Sequence, residues 1–402
     1  MKANPAGAGL DERRLERITD FLQDRYIYTE RIAGAQVAVF RHGQVGYYRE
    51  FGNADRERSV PVGEDTIWRL YSMTKPIVGV GLLALYEQGH FQLTDPVTRW
   101  LPEWSGLKVR AAGPDGSEQL VDARPMTVRD LMMHMSGLSR AGGRALQPGE
   151  APGSPRRGNA TLASMVERYA DIPLEFQPGT QWLYTVSIDI CGRLIEIMSG
   201  KKLDAYLREN IFEPLGMPDT AFYVPDDKIG RFAACYTRDD EKKLVLADDP
   251  QSSGYRQNPT FLSGSGGLVS TMPDYLRFCQ MLLNGGELDG VRILGRKSVE
   301  LMSLNHLPGG GDLQQFAMPG GYGETGFAGM GFGLTVAVSK GPAQTGIIGS
   351  AGEYMWGGAA STAFWVNPAE DLTVVFMTQL LPSALYNFRG QLKALIYPAI
   401  VD

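Results

Sequence analysis

Apolar residues recur at helical spacing among charges through residues 10–30 (Leu15, Ile18, Phe21, Leu22, Tyr26), which predicts an amphipathic surface helix. Gln36-Val-Ala-Val-Phe-Arg and Gln44-Val-Gly-Tyr-Tyr then read as two strands, with His42-Gly43 as the tight turn of a hairpin. A helix followed by an antiparallel hairpin argues against a doubly wound parallel sheet. Trp68-Arg-Leu-Tyr-Ser-Met-Thr-Lys75 reads as a short strand and a turn that open a buried helix at Ser72, continued by the apolar run 76–86. Gly89 stops that helix, and Asp95-Pro96 starts a short one. Gly113-Pro-Asp-Gly116 is a turn between two short strands, Thr127 N-caps a helix over 128–134, and helical patterns return at 161–170, 187–198 and 203–212.

Beyond residue 226 strand patterns reappear. Segments 233–238 and 243–247 form a hairpin around a charged turn, helices follow at 271–283 and 295–302, and strand candidates lie at 331–338, 361–366 and 372–377. An amphipathic helix over 384–397 closes the pattern. Two stretches lack periodicity: the Gly/Pro/Arg-rich 141–159, expected to be a mobile surface loop, and the glycine-rich, aromatic-dotted 308–330, whose length is typical of functional loops. The expected fold is therefore α/β (α+β), an antiparallel sheet flanked by helices plus an inserted mostly helical domain. Residues 1–75 and 226–402 would build the α/β domain and residues 76–225 the helical one, with an active site between them.

Composition narrows the function more by exclusion than by assignment. The 402 residues are 43% hydrophobic and 21% charged, an ordinary globular balance, and the net charge of -6 argues against nucleic acid as a partner. Cys191, Cys235 and Cys279 are scattered within apolar segments, which predicts buried free thiols rather than a disulfide framework. His42, His90, His134 and His306 show no metal-ligand spacing, so neither a metal nor a cofactor is expected. No apolar run reaches membrane-span length and residues 1–9 lack the apolar core of a secretory signal, so the expectation is a cytoplasmic protein. Oligomeric state is not legible in the chain.

The candidate chemistry lies at Ser72. A serine at a helix entry sits where unpaired N–H groups and the positive dipole end favour developing negative charge. Lys75 is one turn along, so its amine can reach the Ser72 oxygen and act as base if burial lowers its pKa. Locally this S-x-x-K competes with a plain N-cap serine followed by a solvated lysine, and Ser105-Gly-Leu-Lys108 and Ser199-Gly-Lys-Lys202 match the same pattern. Only Ser72 lies between a strand signal and a long buried helix.

Several separated segments then resemble, in order, the serine β-lactamase and penicillin-binding-protein superfamily, and most of all its family VIII carboxylesterases. They are Ser72-Met-Thr-Lys75; Leu93-Thr-Asp-Pro-Val97 with Leu101-Pro102; Thr127-Val-Arg-Asp-Leu-Met-Met-His-Met-Ser-Gly-Leu138; Pro178-Gly-Thr-Gln-Trp-Leu-Tyr184 with Asp189 and Gly192; Ser263-Gly-Ser-Gly-Gly-Leu268; and Trp356-Gly-Gly358. The resemblance implies a β-lactamase-like fold, Ser72 as acylated nucleophile, and Lys75 and Tyr184 as its proton shuttle, with the choice of base between them open. It further implies an oxyanion hole from the N–H groups of Ser72 and Ala359, and a substrate site at Trp356, Gly357, Gly358 and Trp182. The glycines are expected either to admit a substrate carbonyl or simply to form a strand bulge.

Two departures bear on substrate. Val186 stands where class C lactamases carry an asparagine, and Trp356-Gly357-Gly358 replaces their Lys-Thr-Gly. Both groups that would grip a lactam are lost while serine acylation is kept. A small-molecule carboxylic ester, with a short acyl chain, is the expected substrate. The alternatives are an acyltransferase using the same acyl-enzyme, or weak β-lactamase or peptidase activity. An α/β-hydrolase would need a G-x-S-x-G elbow, and the chain offers only the near miss Gly137-Leu-Ser-Arg-Ala141. The remaining polar residues carry structural expectations: a buried hydrogen bond for His134, a helix cap for Asp189, and a turn at the pocket wall for 263–267. For Phe316 and Tyr322 two readings stay open, lining of an apolar acyl or alcohol pocket and plain core packing.

Overall fold

The computed structural model describes residues 1–113, 115–140 and 160–402; the expected mobile loop at 141–159 lies outside them. Helix α1 (Glu12–Leu22) is N-capped by Asp11 and buries Leu15, Ile18 and Leu22. The predicted hairpin is β1 (Gly34–Arg41) and β2 (Gln44–Asp55), joined by His42 and Gly43, both at positive φ, the conformation that a two-residue turn between twisted strands requires. Strand β3 (Val60–Pro61) lies on its outer edge, and β4 (Ile67–Arg69) leads to Ser72. Helix α2 (Thr74–Glu87) follows. It is apolar on every side, with Ile77, Val78, Val80, Leu82 and Leu83 wholly buried.

Between α2 and residue 226 the described residues are mainly helical, with one hairpin of β5 (Lys108–Ala112) and β6 (Glu118–Asp122) around the predicted turn. Helix α3 (Val128–Met132) starts with a reciprocal capping box between Thr127 and Asp130. Further helices span Leu162–Tyr169, Ser187–Ser199 and Leu203–Leu207, the last running on to Phe212. The second half contributes β7 (Cys235–Arg238), β8 (Leu244–Asp248), β9 (Val269–Thr271), the small pair β10 (Glu287–Leu288) and β11 (Val291–Arg292), and then five strands of the main sheet. These are β12 (Met330–Phe332), β13 (Ala337–Ser339), β14 (Tyr354–Gly357), β15 (Ala363–Asn367) and β16 (Leu372–Thr378).

Both ends of the chain build one eight-stranded antiparallel sheet, ordered β12-β13-β14-β15-β16-β1-β2-β3. Its central strands are buried along their length, and one continuous apolar core joins α1, α2, the sheet and the closing helix Phe388–Ile396. The fold is thus a mixed α/β arrangement of helices on a large antiparallel sheet, as expected from sequence. Two local expectations change. The single strand over 331–338 is instead the β12–β13 hairpin, because Thr335 adopts φ 73 and the Gly333 N–H closes a turn on Val336. Strand β14 escaped the hydrophobic pattern, since its four residues include a glycine and run straight into another. Among the described residues no helix is long and apolar enough to cross a membrane, and the three cysteines are free and buried.

Candidate active site

Strand β4 pairs with β9, and the Leu70 N–H continues the ladder to Leu268 O. The chain then turns sharply at Tyr71, which holds φ 46, a conformation an L-residue keeps only when its surroundings enforce it. They do so from several sides. Arg69 is fully buried, its guanidinium on Asp248 and over the Phe232 ring, while Tyr275 donates to Met73 O and Thr74 accepts from the Leu268 N–H. Ser72 emerges in a 3-10 turn at the entrance to α2.

Lys75 Nζ donates to Ser72 Oγ at 3.2 Å and to Ser265 O at 2.6 Å. The lysine is buried, and desolvation lowers its pKa to about 8 despite the opposing fields of Asp189 and Glu324. Its ammonium lies 4.5 Å from the centre of the Tyr184 ring, and Ser72 is near enough to the Tyr184 phenol to favour its ionised form. Burial, reinforced by Glu324, raises the Tyr184 pKa well above its ordinary value, so the resting group is a phenol rather than a phenolate.

The tyrosine is fixed by the backbone on either side of it. Trp182 N–H bonds Phe316 O, Leu183 N–H bonds His134 O, and the Trp182 indole stacks on the Tyr184 ring at 5.9 Å and 9°. From β14, Trp356 Nε1–H donates to the Tyr184 oxygen at 3.2 Å. Both indoles are almost wholly buried. They hold the phenol in place instead of offering open surface to a ligand.

Gly357 and Gly358 are filled by the protein itself. A Cβ at Gly357 would fall 1.9 Å from Arg389 Nη2, and one at Gly358 would fall 2.3 Å from both Leu70 O and Thr362 Oγ1. The second contact seats the end of β14 directly against the residue two before Ser72. The turn that follows puts half-buried Ala359 beside Tyr71, and the Ala359 N–H has no hydrogen-bond partner among the described residues.

Asp189 departs from expectation. It lies inside the Ser187–Ser199 helix and caps nothing; its carboxylate accepts from Ser263 Oγ and the Ser265 N–H. It therefore fixes the turn whose Ser265 carbonyl anchors Lys75. His134 also differs. It is buried at φ 57 against Tyr184, and neither ring nitrogen has a hydrogen-bond partner among the described residues. Burial pushes its pKa far below the ordinary value, so the ring is neutral packing, not the hydrogen-bonded support expected. Among the described residues no cluster of His, Cys, Asp or Glu is arranged to hold a metal.

Sequence reasoning missed Glu324 and Arg389, which lie behind Tyr184 and Gly357. A lone acid in a glycine-rich loop and an arginine on an amphipathic helix carry no local pattern. A cavity of about 390 Å³ is lined by Tyr322, Glu324, Glu353, Met355, Arg389 and Lys393; it lies on the far side of Tyr322 from Tyr184, and Ser72, Lys75 and Tyr184 do not line it.

The comparisons agree with the geometry. The family model described as Beta-lactamase matches residues 15–397. Protein Rv1367c of Mycobacterium tuberculosis is 33% identical over 366 residues, covering 87% of this chain and 86% of that one. Esterase EstB of Burkholderia gladioli is 32% identical over 394 residues, 93% of each chain. Among solved structures, EstCE1, a hydrolase with promiscuous acyltransferase activity, superposes with a TM-score of 0.77 at 25% identity, over 99% of this chain and 100% of that one. With a helix-entry serine, a buried amine on its oxygen and a family match over nearly its whole length, the chain belongs to the beta-lactamase family and is a serine hydrolase.

Proposed function

We propose that the protein is a carboxylesterase that cleaves short-chain esters through an acyl-enzyme on Ser72. The observation that carries this reading is the Ser72 hydroxyl with a buried, pKa-lowered amine 3.2 Å away, itself seated over the ring of a neutral Tyr184 phenol. Neutral Lys75 takes the Ser72 proton as Oγ bonds to the ester carbonyl carbon. The carbonyl oxygen becomes an oxyanion facing the N–H groups of Ser72 and Ala359. The intermediate collapses with cleavage of the C–O bond to the alcohol, and the departing alkoxide takes a proton relayed from the Lys75 ammonium through Tyr184. Water then attacks the acyl-enzyme, giving its proton to the same Lys75–Tyr184 pair, and Ser72 leaves with a proton as the acid is released.

An ester is favoured over a lactam because Val186 and Trp356 occupy the positions of the amide and cation that would hold one. The similarity to the esterase EstB points the same way. A second reading, acyl transfer to an alcohol in place of water, is favoured by the similarity to EstCE1, which combines hydrolase and acyltransferase activity. Intact mass after reaction with a p-nitrophenyl ester or a fluorophosphonate, with the modified peptide mapped, tests the mechanism. The adduct is expected on Ser72, and Ser72→Ala should abolish both adduct and turnover; hydrolysis surviving in that variant refutes it. Product analysis with an added alcohol separates hydrolysis from transfer. Nitrocefin turnover as fast as ester turnover would overturn the preference for esters.

A further inference from the structure

Glu324 lies in the glycine-rich loop and is only 2% exposed. Three donors hold its carboxylate: Tyr322 on Oε1 at 2.8 Å, and Ser383 Oγ and Arg389 Nη2 on Oε2 at 2.9 and 3.1 Å. The Tyr322 ring in turn packs 6.2 Å from that of Tyr184. Arg389 rises from the closing helix, takes the space a side chain at Gly357 would need, and also donates to Thr362 O at 3.3 Å. One partly buried ion pair thus backs both the phenol and the strand that end at Ser72. A buried carboxylate so fully bonded has a cost in desolvation that folding alone does not require, because an apolar group of similar shape would pack there.

We propose that Glu324 is a positioning residue of the Ser72 site: it seats Tyr322 behind Tyr184, ties Arg389 against the end of β14, and brings a buried carboxylate to bear on the Ser72–Lys75–Tyr184 cluster. This rests on the acyl-enzyme mechanism above. The groups facing Lys75 are few. Asp189 approaches from the Ser187–Ser199 helix, Glu324 from the loop, Tyr184 from the segment before that helix, and neutral His134 from the end of α3. The two carboxylates favour the ammonium against desolvation. Around Tyr184, Glu324 and Tyr322 favour the phenol, while Ser72 and Trp356 favour the phenolate. Arg389 lies beyond Glu324 and acts on Lys75 from farther away.

The test is the pH dependence of Ser72 labelling by a fluorophosphonate on the full chain, with ester kcat/KM measured alongside. In E324Q the midpoint of the rising limb is expected to fall by up to about one pH unit, because one of the two carboxylates that favour the Lys75 ammonium is lost. E324D keeps the charge and should stay within a few tenths of a unit of the parent. E324Q/R389Q removes both charges and should fall by less than E324Q, because loss of the more distant cation works the other way. If E324Q fails to fold, the double variant against the parent carries the test. Midpoints unmoved in the folded variants, whatever happens to the absolute rate, overturn the proposal. S72A distinguishes the two failures: activity persisting there sinks the acyl-enzyme itself, whereas a dead S72A with an unmoved E324Q midpoint sinks only the role of Glu324.

Discussion

Gly358→Ala is the sharpest probe of how the sheet is coupled to the nucleophile. The added Cβ would lie 2.3 Å from Leu70 O and from Thr362 Oγ1. Ordinary carbon–oxygen contact is about 1 Å longer, so something must move by roughly that amount. At Gly357 the obstruction is the far end of the Arg389 side chain, which can swing aside; at Gly358 it includes backbone two residues before Ser72. The strand end must therefore shift away from the Ser72 turn and take the Ala359 N–H with it. Overpacking of this size costs about 1–3 kcal/mol of stability. For a chain this long that is a fall in Tm of about 1–4 °C. The effect on turnover should be far larger, because losing one oxyanion donor costs about 10²–10³ in kcat. The assay is kcat and KM on a short p-nitrophenyl ester beside a thermal melt. A folded variant with kcat within fivefold of the parent would show that the end of β14 does not bear on the reacting oxygen.

Three other outcomes are expected. With neutral Lys75 as base and its pKa lowered to about 8, kcat/KM should rise as pH climbs through about 8 and then level off; a rate that falls with pH over this range contradicts that assignment. Tyr184→Phe keeps the ring stack but removes the proton relay, so kcat should drop by about 10²–10⁴ with little change in Tm; a tenfold loss or less would make the phenol dispensable. Lys393→Met leaves Glu353, almost wholly buried, without its cation, and should cost about 3–5 kcal/mol, or about 4–6 °C in Tm, with kcat per folded molecule unchanged, because the pair lies on the cavity side and away from Ser72.

What the sequence made legible follows from the range of the forces involved. Elements set by local periodicity and caps, such as α1, the β1–β2 hairpin and the Thr127 capping box, were readable because their determinants lie within a few residues of one another. The Ser72–Lys75 pair was readable for the same reason, one helical turn apart. Tyr184 entered only through resemblance, since 109 positions separate it from Lys75 and no periodicity crosses that gap. Asp189 was misread because a helix-start acid usually caps, and what it bonds, the Ser265 N–H, lies 76 residues away. Glu324 and Arg389 were invisible for the reason that makes them interesting: their partners are set by tertiary packing alone.

The surroundings of Lys75 also explain why polar groups near it are so poorly served. His134 Nδ1 and Nε2, Trp182 Nε1, Thr185 Oγ1, Asp189 Oδ2 and Ser265 Oγ are buried without a hydrogen-bond partner among the described residues, and all lie in segments that touch Lys75 or Tyr184. Each works against folding. Yet an amine titrates near pH 8 only where its charged form is badly solvated, and a setting rich in acceptors would restore it to the ordinary lysine range. Packing His134 and Trp182 as aromatic faces adds to the burial of the cluster, while Asp189 and Glu324 favour the ammonium against that desolvation. The unpaired groups and the lowered lysine pKa are thus two consequences of one arrangement: the amine beside Ser72 is buried among aromatic and apolar packing.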